Sequence, residues 1–308
     1  MRALKPLCVS LGAWLACSVA EAHGLGAAPG QAPGWSWDPL VTVPMGLSAL
    51  IFAAGWLRLK RRARRGGDQL ERRGVLFAAG WLTLAAALVS PLHQAGERAF
   101  SAHMLEHELL MLLAAPLLVL SQPFSAMIWA FPGAARQGLG AAARWAPLAA
   151  LWRRLTEPVT ATLAQAAALW LWHAPSLFDL ALASTPWHIV QHLCFLVTAL
   201  LFWSAMLKPT RAHPGLAVLC LFATSVVSGA LGALMAFSES PWYAAYAAMG
   251  MSPFGLTPAE DQQVAGLLMW IPGGLVHAGA ALALLGRALK AQRSLEVQPR
   301  RPVHAVQP

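Results

Sequence analysis

"SAHMLEHELLMLLAAPLLVLSQP", residues 101–123, is long and apolar enough to cross a bilayer, yet its first turns carry His103, Glu106, His107 and Glu108. About 20 apolar residues make a transmembrane helix, and ionisable groups inside one are costly unless they face a bundle interior or a functional site. The stretch poses two questions, how the rest of the chain completes a membrane fold and what its histidines do.

Composition answers the first. Of 308 residues, 57% are hydrophobic and 11% charged, too apolar for a soluble domain. Six further apolar runs join the first, predicting seven spans near 40–59, 74–92, 103–122, 158–177, 187–207, 214–237 and 262–286. Ahead of them, basic Arg2 and Lys5, an apolar core over 7–20 and the small-residue site Ala20-Glu21-Ala22 describe a secretory signal peptide. The expected architecture is all-α, a polytopic membrane helix bundle. A signal peptide (1–22) and a periplasmic N-terminal segment (23–39) precede a seven-helix transmembrane domain (40–286), and a basic, mobile cytoplasmic tail (287–308) follows.

Charge orients the bundle. Threaded from an outside N-terminus, the clusters Arg58 to Arg73, Arg136 to Arg154, Lys208 with Arg211, and Arg287 to Arg301 fall on the cytoplasmic side, while Glu97, Glu239, Glu260 and Asp261 fall outside. Beyond the signal peptide, Arg98 is the one basic residue on the outer side. That asymmetry follows the positive-inside rule for a cytoplasmic (inner) membrane protein with its N-terminus periplasmic and its C-terminus cytoplasmic. The net charge of +9 therefore marks topology and membrane-lipid contact, and nucleic acid is excluded as a partner. The connection over 131–155, with Gly138, Gly140 and Pro147, is read as a cytoplasmic segment that includes an interfacial helix.

The histidines then acquire a geometry. His103 and His107 are four apart at the outer end of the third span, one turn from each other on one helix face. "TPWHIVQHLCFL" repeats the device with His188 and His192 at the outer end of the fifth span, and "LWLWHAPSLFD" adds His173 near the outer end of the fourth, with Asp179 beyond it. His93 lies in the outer loop before the third span, so six of ten histidines collect at one membrane surface. A single histidine at a helix end is ordinarily interfacial; two H-x3-H pairs and a fifth histidine point to a shared ligand.

A metal ion suits that set, since neutral imidazole binds zinc, copper, iron and nickel. At 100° per residue Glu106 lies near the His103–His107 face, where it can bind the metal or orient an imidazole, whereas Glu108 points elsewhere and pairs with another group. Met104, Met45, Met235, Met269, Met249 and Met251 map to the outer half or the outer loop. Thioethers favour Cu(I) over Cu(II), although methionine is also a common packing residue. The candidate metal ligands are His103, His107, His173, His188 and His192, with Glu106 and Met104. Cys194 and Cys220 read as small packing residues. His277 sits deeper in the last span, as a structural hydrogen-bonding group or a remote second site. Haem is the alternative cofactor, since histidines on neighbouring spans can clamp its iron, in a b-type cytochrome or a haem-modifying enzyme. No span, however, carries two histidines two or more turns apart, as a two-haem bundle needs.

The ordered motifs "SAHMLEHELLMLLAAPLLVLSQP", "LWLWHAPSLFDLAL", "WHIVQHLCFLVTALLFWSAML", "SPWYAAY" and "AEDQQVAGLLMWIPGG" resemble the CtaG family of cytochrome c oxidase assembly factors. This is the multi-span family associated with caa3-type oxidases, distinct from the single-span copper chaperone of the same name. The likeness runs over about residues 40–286. It implies a role in maturing the terminal oxidase by copper delivery at the outer face of the cytoplasmic membrane, without enzymatic chemistry. Oxidase subunits would be its partners, and a periplasmic copper donor a possible further one. His103, His107, His173, His188 and His192 occupy the family's histidine motifs, and Asp261 with Gln262 its D-Q-Q motif. No cysteine pair of the kind soluble copper chaperones use is present, so an imidazole–thioether site would have to serve.

Overall fold

The computed structural model describes residues 32–63, 66–207 and 214–296. The expected signal peptide, His23, His213, His304 and the last twelve residues lie outside them. Every regular element among the described residues is helical. In chain order they are α1 (Pro39–Arg62), α2 (Gly67–Leu88), α3 (Pro91–Gly96) and α4 (Phe100–Glu108); a π-helical turn Leu109–Ala114 and α5 (Ala115–Ser121); and α6 (Pro123–Met127), a 3-10 turn Ile128–Ala130, α7 (Gly133–Arg144) and α8 (Ala146–Leu155). Then follow α9 (Pro158–Trp172), α10 (Pro175–Ala183), α11 (Thr185–Leu207), α12 (Pro214–Ala236), α13 (Ala244–Met249) and α14 (Pro258–Glu296).

Five segments are long and apolar enough to cross a membrane: α1, Phe100–Ser121, α11, α12 and Pro258–Lys290. The pair α9–α10, bent by 73°, makes a sixth when it is counted as one broken span. The fourth span, expected unbroken over 158–177, breaks at His173 because Pro175 follows. The residue before a proline is driven out of the helical region, and Ala174 is extended at φ −63°, ψ 129°. The run expected as a span over 74–92 lies in α2, which carries Asp68, Glu71, Arg72 and Arg73 in its first turns and is not among those five segments. The last helix runs on to Glu296, past the expected start of the tail at Arg287, since "RALKAQRSLE" is rich in good helix formers and holds no breaker before Pro299.

The span Phe100–Ser121 runs through the packed interior. Pro116 supplies no N–H to the turn before it, and the chain widens there into the π-helical turn, whose Met111 carbonyl accepts a hydrogen bond from Trp203 Nε1 (2.8 Å). Such turns often mark functional positions. Alongside, α12 and α14 make the most extensive helix pair. A Cβ on Gly232 would fall 2.7 Å from the Gly266 carbonyl oxygen, so only glycines permit this separation, the small-residue packing of membrane helices. The segments α7 and α8 bury no residue. Their exposed Leu139, Trp145, Leu148 and Trp152, with Arg144, Arg153 and Arg154 in their last turns, fit the expected interfacial helix.

Candidate metal centre

Four elements bring imidazoles to one end of the bundle. Short helix α3, started by Pro91 and capped by the Ser90 hydroxyl on Leu92 N (3.2 Å), carries His93. Helix α4 carries His103, Met104, Glu106 and His107. His173 stands at the broken end of α9, and His188 and His192 lie in the first turns of α11. The start of α4 is held by Asp261 of α14, whose carboxylate accepts from Phe100 N (2.6 Å) and from the Ser101 hydroxyl (2.5 Å). Phe100 N–H, with Ser101 N–H at 3.4 Å from the same carboxylate, is among the N–H groups a helix leaves unpaired at its N-terminus. Its neighbour Gln262 accepts from Trp242 N (2.7 Å) and donates to the Ser240 carbonyl (3.2 Å). The D-Q-Q motif is thus a clamp joining the last span to α4 and to the loop before α13.

The histidine rings form one contiguous cluster. Ring centroids lie 4.4 Å apart for His103–His107 and 4.3 Å for His188–His192, the two H-x3-H pairs. Between helices they lie 5.2 Å apart for His103–His188, 5.9 Å for His103–His192 and 5.1 Å for His107–His192. Two groups offer ligand atoms that all lie within 4.8 Å of one another: His103, His188 and His192; and His93, Glu106 and His192. His192 belongs to both. His107 and His173, 6.1 Å apart by centroid, stand beside these groups and complete neither.

Hydrogen bonds set which nitrogens face inward. Tyr246 has a single hydroxyl proton and donates it to the Gly96 carbonyl (2.5 Å). Its contact with His103 Nδ1 at 3.2 Å therefore requires the imidazole to donate, which leaves the buried and otherwise unpartnered His103 Nε2 as a lone pair. Burial, then the charges of Glu106, Asp261 and Glu97, push the Tyr246 hydroxyl well above its usual pKa and keep it neutral. His173 likewise gives Nδ1–H to the Leu169 carbonyl (2.7 Å) and turns Nε2 toward Met104 Sδ at 3.4 Å. Neither atom of that second contact has a proton to share, the disposition of two ligands facing one soft cation. Both nitrogens of His107 and Nε2 of His192 are buried without hydrogen-bond partners, a cost that buried polar groups seldom bear without a ligand.

Glu106 is fully buried. Its Oε1 lies 2.8 Å from His93 Nδ1 and 3.6 Å from His192 Nδ1. Burial pulls the His93 imidazole down in pKa, but the charge and hydrogen bond of Glu106, with Glu97 and Asp38 further off, outweigh it and hold His93 above the usual histidine value. An open cleft of about 1110 Å³, lined by Asp38, Glu97, Arg98 and Asp179, reaches His93, His188 and His192. The cluster thus has an entrance with three carboxylates and one guanidinium.

Residues 50–291 match the family model of the cytochrome c oxidase caa3 assembly factor, Caa3_CtaG. The chain belongs to that family. The matched range holds every histidine of the cluster together with Glu106, Met104 and the Asp261 clamp. No curated protein and no solved structure matches the chain.

The sequence-derived ligands fare unevenly within this CtaG-family chain. His103, His188 and His192 converge; His107, His173 and Met104 form an adjoining layer; Glu106 reaches the set through His93 and His192. His93, assigned to the cluster by its loop position but not among the expected ligands, enters a ligand group directly. Tyr246 and Asp261 act on the site from 143 and 160 residues away in sequence, and only the "SPWYAAY" and D-Q-Q motifs hint at them. Of the other outer methionines, Met45, Met235 and Met269 are packed in apolar cores, while Met249 and Met251 are exposed.

Proposed function

We propose that this oxidase assembly factor binds copper as cargo at the periplasmic rim of the bundle and passes it to a caa3-type oxidase, by ligand exchange and without bond chemistry in the protein. The observation that carries this reading is the convergence of His103, His188 and His192, with ligand nitrogens within 4.8 Å of one another, in a cluster where His103 Nε2, His192 Nε2 and both nitrogens of His107 are buried without hydrogen-bond partners. The residues fit copper: several imidazoles, a thioether at Met104 and one carboxylate suit a borderline-to-soft ion. The Tyr246 and Leu169 hydrogen bonds orient two of the imidazoles from behind.

His93 and Glu106 act as the outer station. An ion entering the cleft meets His93 and His188 first; Glu106 can release His93 and compensate the incoming charge. The exchange partner is a surface of the oxidase, since an ion held by neutral ligands beside an open cleft is accessible to other donors. The periplasmic placement rests on the positive-inside distribution of Arg and Lys. Three imidazoles at one point, with a second group of two imidazoles and a carboxylate sharing His192, exceed the two axial positions that haem iron leaves open, which favours a bare ion over haem. The test is the metal content of the oxidase isolated from cells whose only copy of this chain is His188→Ala/His192→Ala. Copper in the oxidase is expected to fall while its haem is retained; an oxidase with full copper would refute delivery through this cluster.

A further inference from the structure

Below the histidine cluster the same helix enters a second polar region that the proposed delivery site does not use. A cavity of about 30 Å³, room for a water-sized occupant, is lined by Glu108, Met111, Gln165, Met269 and His277, with Thr224 and Ser228 on its wall. Its hydroxyl and indole donors, and one contact of its amide, are already committed. The Thr224 hydroxyl donates to the Cys220 carbonyl (2.9 Å), the Ser228 hydroxyl to the Thr224 carbonyl (2.8 Å), the Gln165 amide to Met111 Sδ (3.1 Å) and the Trp203 indole to the Met111 carbonyl (2.8 Å). Its side-chain oxygen acceptors from Glu108 and Gln165 are open. Glu108 Oε2 and Gln165 Oε1 are buried with no hydrogen-bond partner, and a neutral His277 imidazole keeps one ring nitrogen as an acceptor. Glu108 Oε2 lies against Gly273, 3.9 Å from where a Cβ there would sit, one turn before His277 on α14.

Acceptors facing inward, with the neighbouring hydroxyl and indole protons committed elsewhere, make a site for a cation. The donor types choose which one. Two thioethers and an imidazole are soft or borderline ligands and favour Cu(I). The single carboxylate neutralises one positive charge and would leave a divalent ion uncompensated in an apolar interior, where unpaired charge is most costly. The indole of Trp203 lies parallel to the His277 ring (5°, centroids 5.8 Å apart) and fixes its plane. The π-helical turn that begins after Glu108 aims Met111 at the cavity while His107, one residue before Glu108, still faces the upper cluster.

We propose that Glu108, Met111, Met269 and His277 form a second, intramembrane site for one Cu(I) ion, next in line along α4 from His103 and His107. This deepens the copper reading by adding a separate station, and it is tested separately from the rim. Full-length protein in detergent is titrated anaerobically with Cu(I) against bicinchoninate, and the bound copper is examined by X-ray absorption. His277→Gln and Met269→Leu are each expected to lower the stoichiometry by one copper per chain and to reduce, without abolishing, the sulfur scattering, with the rim copper and its Met104 thioether kept. His188→Ala/His192→Ala should remove the rim copper and keep this one. Glu108→Gln, which preserves shape, should weaken the deep site at least tenfold. A stoichiometry unchanged in His277→Gln and Met269→Leu, in protein that elutes as a folded monodisperse species, would overturn the second site and leave the rim intact. Loss of both coppers in Met269→Leu would equally overturn it as an independent site.

Discussion

The Tyr246 hydroxyl lies 3.2 Å from His103 Nδ1 while giving its own proton to the Gly96 carbonyl. That arrangement makes His103 the donor and turns its Nε2 lone pair into the cluster. Tyr246→Phe removes both hydrogen bonds and frees the ring to rotate or change tautomer. Copper affinity at the rim is expected to fall about 10- to 100-fold, the usual effect of losing a group that orients a ligand, with stoichiometry retained at saturating copper. Competition titration measures it.

Asp261 ties two distant spans by accepting from Phe100 N and the Ser101 hydroxyl. Asp261→Ala leaves the buried start of α4 without these partners, at a cost of about 1–3 kcal/mol. The expected outcome is a lower thermal transition in detergent and, because α4 carries His103 and His107, weaker copper binding in the same protein.

A large part of this centre was legible before any coordinates. Each H-x3-H pair places its histidines one turn apart, and each does meet its partner at 4.3–4.4 Å. The convergence of the pairs followed only from topology, through the shared membrane surface to which the charge distribution assigns them. His93 was harder to select because it sits on a short helix whose docking depends on Gly96, where a Cβ would press 3.2 Å from His103 Cα. The bend after His173 was written in Pro175 but hidden by the continuous apolar run around it. The Asp261 and Tyr246 contacts had only the D-Q-Q and "SPWYAAY" motifs as a signal, since each joins segments more than a hundred residues apart.

Helix packing gives a test independent of metal. A methyl group on Gly266 would meet the Gly232 carbonyl and the backbone of Ala236, whereas one on Gly279 would meet nothing within 4 Å. Gly266→Ala should therefore destabilise the protein by about 1–3 kcal/mol through overpacking. Gly279→Ala on the same helix should be neutral or slightly stabilising through helix propensity. Thermal unfolding of the two variants in one detergent distinguishes them.

The His93–Glu106 pair carries a pH signature. The folded imidazole titrates above its ordinary value of 6.5, so pairing stabilises the copper-free protein fully below that pH and is lost as pH rises through the higher folded value. Across this window the wild-type thermal transition should decline, and His93→Gln should flatten the slope. Copper opposes the trend, because a proton on His93 competes with the ion; uptake should strengthen as pH rises.

The measurement closest to the central claim is elemental analysis and X-ray absorption of the purified, copper-loaded protein beside a His103→Ala/His188→Ala/His192→Ala variant of matched folding. Bound copper with nitrogen scatterers from imidazole rings, the rim copper being lost in the variant, is the predicted result. Protein that binds no copper, that keeps its full copper without these three imidazoles, or that carries a Soret band would contradict it.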